Sequence, residues 1–161
     1  MSTIDKKMGE SWLKKMKTVA VKPMRCEFAT EGLLWIDRIA TGVGIILYNP
    51  TKKIAAGVHV LRGYSQGRPA DNPAYYADTA LEHVIDELKK REAARPLSVA
   101  IAGGAAMLGS DKDDHIGARL VSAVRDVLSR HSLQVKMEGV GGMKLRTMIL
   151  NIDEGKIKIT K

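Results

Sequence analysis

Apolar and polar positions recur along this chain at two different periods, and each change of period marks an element. Ile4, Met8, Trp12 and Met16 return every four residues with lysines between them, which predicts an amphipathic basic helix over Ile4 to Lys17, closed off by Pro23. From Met24 onward, short apolar runs divided by turn residues predict strands at Arg25 to Ala29, Leu33 to Ile36, Val43 to Tyr48 and Ile54 to Leu61. Asn49, Pro50 and Thr51 join the last two, so an antiparallel hairpin is the simplest pairing. A polar loop, Arg62 to Pro73, comes next. Ala77, Ala80, Leu81, Val84, Ile85 and Leu88 then set one buried face of a helix over Tyr75 to Arg91. Ser98 to Ala102 reads as a small-residue strand running into Gly103 and Gly104, and Ile116, Leu120, Val121, Val124 and Leu128 predict a second helix from Ile116 to Arg130. Leu133 to Thr160 returns to strand patterning, with turns at Gly141-Gly142 and Glu154-Gly155. This order predicts an α/β or α+β single domain with a mixed sheet rather than a regular βαβ succession.

Composition narrows the class. With 161 residues, 45% hydrophobic and 27% charged, the chain suits one globular domain and excludes disorder, collagen and coiled coil as its main state. No run approaches the ~18 apolar residues of a membrane span, and the lysine-rich start lacks the apolar core of a signal peptide, so a cytoplasmic location is expected. The one cysteine, Cys26, can form neither an internal disulfide nor a thiolate cluster, and no metal or cofactor is expected. A net charge of +8 raises the question of an anionic partner. Part of that excess lies in the N-terminal lysines and the rest is scattered, while aromatics make up only 4%, so a nucleic-acid or membrane-surface module is a minor alternative.

Few residues carry candidate chemistry. Gly103-Gly104-Ala105-Ala106 has neither a Walker lysine nor a dinucleotide fingerprint. His83 reads as a helix-surface residue, and His115 and His131 sit at helix boundaries. His59 differs, because it interrupts the apolar run Ala55 to Leu61, where an imidazole is costly unless it is paired or lines a site. The residues alone leave both readings of His59 open.

Four blocks, taken together, resemble the signature of the CheD family of chemoreceptor glutamine deamidases. They are Tyr75-Tyr76-Ala77-Asp78-Thr79-Ala80, Ala100 to Met107, His115-Ile116-Gly117-Ala118-Arg119, and Gly141-Gly142 with Arg146 beyond. The resemblance covers about Arg25 to the C-terminus, and it divides the chain into a basic extension at 1–22 and a CheD-like domain at 23–161. It implies an α+β fold, a three-layer β/β/α sandwich related to the catalytic domain of cytotoxic necrotizing factor toxins. It also implies a covalent acyl transfer, in which a cysteine activated by a histidine attacks a receptor glutamine and a threonine completes the site. Carried over by position, the histidine is His59, the cysteine position is Gly42 and the threonine position is Ile36. Two of the three groups are therefore missing. The expected protein is a CheD-like binder of chemoreceptor helices or of a CheC-type phosphatase, with a small cleft at Thr41, Gly42 and His59. The alternative within the enzyme class is an active amidohydrolase that uses a relocated nucleophile, Cys26.

Overall fold

The computed structural model describes residues 16–106 and 115–160. Almost all of the Ile4 to Lys17 pattern lies outside them, as does Met107 of the glycine-rich block. The strands are β1 (Thr18–Ala20), β2 (Arg25–Ala29), β3 (Leu33–Ile39), β4 (Val43–Asn49), β5 (Ile54–Val60), β6 (Ser98–Gly103), β7 (Val135–Val140), β8 (Arg146–Asn151) and β9 (Lys156–Ile159). The helices are α1 (Ala77–Lys90), preceded by a 3-10 turn at Pro73–Tyr75, and α2 (Ile116–Arg130).

The strands form two sheets, one of four in the order β1-β3-β8-β9 and one of five in the order β2-β5-β4-β6-β7. Strand β4 lies at the centre of the larger sheet and is buried along its whole length. That double burial is why Val43 to Tyr48 reads as a near-continuous apolar run instead of an alternation. Successive strand residues point to opposite faces, so Val43, Ile45 and Leu47 join Ala56, Val58 and Val60 against the helices. The helices close that side with Leu81, Val84 and Leu88 of α1 and Leu120, Val124 and Leu128 of α2. Ile46, Tyr48, Ala55, Ala100 and Ala102 face the other way and pack against Leu34, Ile36, Ile39, Met148 and Leu150 of the smaller sheet. Two apolar cores thus separate three layers: sheet, sheet and helices.

Two connections differ from the expectation. Thr18–Ala20, which the sequence division assigns to the extension, pairs in parallel with β3. Gly32 permits this approach, because at φ +74° it has no side chain to meet the Lys17 carbonyl, 2.0 Å from where its Cβ would be. Strand β3 also continues past Ile36 to Ile39 through an irregularity in its register with β8, where Arg38 adopts φ +51°. The expected β4–β5 hairpin is present, antiparallel from Val43↔Val60 to Asn49↔Ile54. Strand β7 runs parallel to β6, as a crossover through α2 allows.

Candidate functional site

His59 projects from β5 on the side opposite Ala56, Val58 and Val60, and so toward the smaller sheet. It is 2% exposed, and its Nδ1 has no hydrogen-bond partner. Desolvation pushes its pKa below the ordinary value, because burial penalises the charged form, and the ring is therefore neutral at neutral pH.

Gly42 stands just before β4 and shares that face. A Cβ at Gly42 would lie 3.4 Å from His59 Nε2, so a side chain at this position would meet the imidazole directly. This is the geometry a nucleophile–base pair needs, with the sulfur of a cysteine reaching one bond further. Glycine supplies no atom to react. Ile36 lies in the same inter-sheet layer and is fully buried. Its Cδ1 is 3.3 Å from the Cβ position of Gly44, and Gly44 is the cross-strand partner of His59. The threonine position of the resemblance is thus filled by hydrocarbon that offers no hydrogen bond.

Where a small cleft at Thr41, Gly42 and His59 is expected, neighbouring atoms lie close to the Cβ position of Gly42. Leu61 Cδ2 lies 2.6 Å from the Cβ position, and the Val60 carbonyl oxygen lies 2.8 Å from it. A groove of about 600 Å³ opens beyond Leu61, between the loop after β5 (Leu61, Arg62, Gly63, Tyr64) and α2 (Ile116, Arg119, Leu120, Ala123). The sequence pattern made Leu61 the last residue of a strand. In the structure it lies just past β5 and is 39% exposed, and nothing in the pattern shows where its side chain goes.

Cys26 is placed elsewhere. It pairs with Val58 and packs, with Phe28, against the helix-side core, on the face of the sheet opposite His59. Burial, reinforced by the Glu27 carboxylate, pushes its thiol up to about 12, so almost none is thiolate at neutral pH. Cys26 thus lies across the sheet from His59.

The glycine blocks converge on Gly42. Gly103 has φ +116°, and a Cβ there would lie 2.1 Å from the Gly42 carbonyl oxygen, so only glycine allows β6 to run this close. Gly104 N–H donates to that carbonyl at 2.8 Å, and Ala105 N–H donates to the Ala40 carbonyl at 2.9 Å. Gly117, in the first turn of α2, abuts Gly104, with 2.5 Å between its Cβ position and the Gly104 carbonyl oxygen. Gly141 N–H donates to Gly103, and Arg146 Nη1 donates back to the Gly141 carbonyl at 2.7 Å. The tyrosine block secures the loop that bears the groove. Asp78 accepts from the Ser65 amide and hydroxyl, Ala77 N–H donates to the Arg62 and Gly63 carbonyls, and the Arg62 guanidinium lies 4.3 Å over the Tyr75 ring.

The other histidines sit where the pattern puts them. His83 is exposed on α1, while His115 caps α2, its Nδ1 accepting from Ala118 N–H, and His131 ends that helix. Among the described residues, no group of three or more His, Cys, Asp or Glu is placed to hold a metal, and no helix is long and apolar enough to cross a membrane.

A family model described as CheD chemotactic sensory transduction matches residues 62–161, beginning just after His59. Chemoreceptor glutamine deamidase CheD of Thermotoga maritima is 38% identical over 120 residues, covering 74% of this chain and 75% of that protein. A probable chemoreceptor glutamine deamidase CheD of Symbiobacterium thermophilum is 34% identical over 153 residues, 91% of this chain and 93% of that protein. The crystal structure of the Bacillus licheniformis hypothetical protein YfiH covers 88% of this chain and 70% of that one, with a TM-score of 0.50 and 11% identity, a likeness of fold alone. A match over more than half of the chain, with relatives above 30% identity across most of it, means that this chain belongs to the CheD family.

Proposed function

We propose that this CheD-family protein binds the cytoplasmic helices of a chemoreceptor and does not deamidate them. The observation that carries the reading is the pairing of His59 Nε2 with a glycine. A side chain at position 42 would stand 3.4 Å from the imidazole, and none is there. Loss of the nucleophile from a covalent hydrolase costs on the order of 10⁶ in rate, and neither Cys26 nor Ile36 replaces a missing group.

Binding does not need the thiol. The groove beside Leu61 joins apolar walls, including Ile116 at 67% exposure and Tyr64, to the cationic Arg62 and Arg119. An amphipathic helix with an acidic polar face fits such a surface, with apolar anchors in the groove and carboxylates toward the rim. The net charge of +8 favours the approach of that partner.

The test is a pair of measurements on one glutamine-bearing chemoreceptor fragment, calorimetric titration and ammonia release, with a cysteine-containing CheD as reference. The expected result is saturable, salt-sensitive binding with no ammonia released by this protein. Steady turnover would overturn the inactive reading. Absence of binding at low salt would overturn the receptor reading, and a CheC-type phosphatase titrated in parallel tests the other partner implied by the family.

A further inference from the structure

We propose that two residues, not one, keep this site silent: Gly42, which carries no side chain, and Leu61, whose side chain fills the room a nucleophile would occupy and plugs the passage between the groove and His59. The inference rests on the reading of Gly42 as the nucleophile position.

Carbon atoms in favourable contact lie about 3.5–4.0 Å apart. Leu61 Cδ2 is 2.6 Å from the Cβ position of Gly42, so the leucine must leave its present place before any side chain at 42 can stand there. The second close neighbour, the Val60 carbonyl at 2.8 Å, is main chain in the β4–β5 ladder and stays the same whatever side chain position 61 carries. Leu61 is also a wall of the 600 Å³ groove and is 39% exposed, whereas His59 behind it is 2% exposed with an unpartnered Nδ1. One flexible hydrocarbon therefore reaches from the groove wall to the Cβ position of Gly42, the same point that His59 Nε2 faces at 3.4 Å. Removing it admits water or a ligand to Nε2. Restoring a thiol without removing it forces the two side chains to compete for one space.

The test uses a Cys26→Ser background, so that a thiol at position 42 is the sole cysteine. Gly42→Cys is compared with Gly42→Cys/Leu61→Ala in alkylation by iodoacetamide across pH. In that reaction the thiol proton passes to His59 Nε2 and the thiolate sulfur displaces iodide, forming a carbon–sulfur bond. With Leu61 present, alkylation should be slow and should rise only above the ordinary thiol range, because a buried thiol holds its proton. With Leu61→Ala it should be faster at pH 7 by about tenfold or more, and His59→Gln should remove that gain. Equal rates in the two backgrounds would overturn the plug. Circular dichroism checks folding. If position 42 does not tolerate cysteine, Leu61→Ala alone decides the matter: the NMR titration of His59 should move up toward its ordinary value and diethyl pyrocarbonate should modify it, with exposed His83 as internal reference. An unchanged His59 titration would overturn the proposal. Turnover by the unmodified protein would instead overturn the binding reading and leave the plug standing, so the two failures are distinguishable.

Discussion

His59 is neutral because it is dry, not because a partner holds its proton, and the sign of its effect on stability follows from that. An imidazole whose folded pKa lies below its unfolded value binds fewer protons in the native state than in the unfolded chain, so acid favours unfolding. The stabilising contribution is full above the unfolded value of about 6.5 and is lost as pH falls through the lowered folded value. The Asp37 carboxyl is also held below its ordinary value, chiefly by the Thr147 hydroxyl, with a further bond from the Arg38 amide. Its stabilising effect is lost only below about pH 4, outside the histidine window. Urea midpoints measured between about pH 7 and pH 5 should fall more steeply for the native sequence than for His59→Gln. Equal slopes would assign the acid sensitivity to other groups. At this scale the sequence marked His59 as a costly polar residue in an apolar run, and the family resemblance implied His59 as the histidine position and Gly42 as the cysteine position. It could not mark Leu61, because the space a leucine fills is set by the strand beside it and leaves no periodic trace.

Between elements, close packing is bought with glycine at defined points. Gly103→Ala would have to adopt φ +116° and also push back the Gly42 carbonyl and Ile39, so it should destabilise by about 3 kcal/mol or more. Gly67→Ala, at φ +76° with nothing within 4 Å, should cost only about 1 kcal/mol, and comparable losses in denaturant melts would refute the close-approach argument. Asn49, fully buried at the β4–β5 turn, accepts from Thr51 and Lys52 N–H and donates to the Ala93 and Arg95 carbonyls. Asn49→Ala leaves those main-chain groups without their side-chain partner, and a loss of about 2–4 kcal/mol should follow; a loss under about 1 kcal/mol would mean that water replaces the side chain. The hairpin, both helices and β6 were legible because each carries a long period or a turn signal of its own. Strand β1 was not legible, since three residues are too few for a period. Nor was the division of the nine described strands into two sheets, because β3 pairs with β8, far away in sequence.

For the whole molecule, charge and shape act at different stages of an encounter. Long-range attraction from a net charge of +8 acts before contact, and the groove between Leu61 and Ile116 acts after it. Residues 1–15 carry Lys6, Lys7, Lys14 and Lys15 against Asp5 and Glu10, an excess of positive charge that precedes the domain. The cut belongs before Met16, because the Lys17 carbonyl accepts from Leu33 N–H and its ammonium pairs with Glu31, both beside β1. Deleting 1–15 should slow association with an acidic receptor helix and flatten its dependence on salt, leaving dissociation nearly unchanged. Ile116→Asp should act mainly on dissociation. It places a carboxylate where an exposed apolar anchor stood, on a face that would meet acidic side chains, and should speed dissociation about tenfold, most at low salt where the added repulsion is least screened. Stopped-flow association and dissociation rates at several ionic strengths separate the two effects. If the truncation altered dissociation as much as Ile116→Asp does, the N-terminal segment would itself be part of the bound surface, and the division between steering and docking would fail.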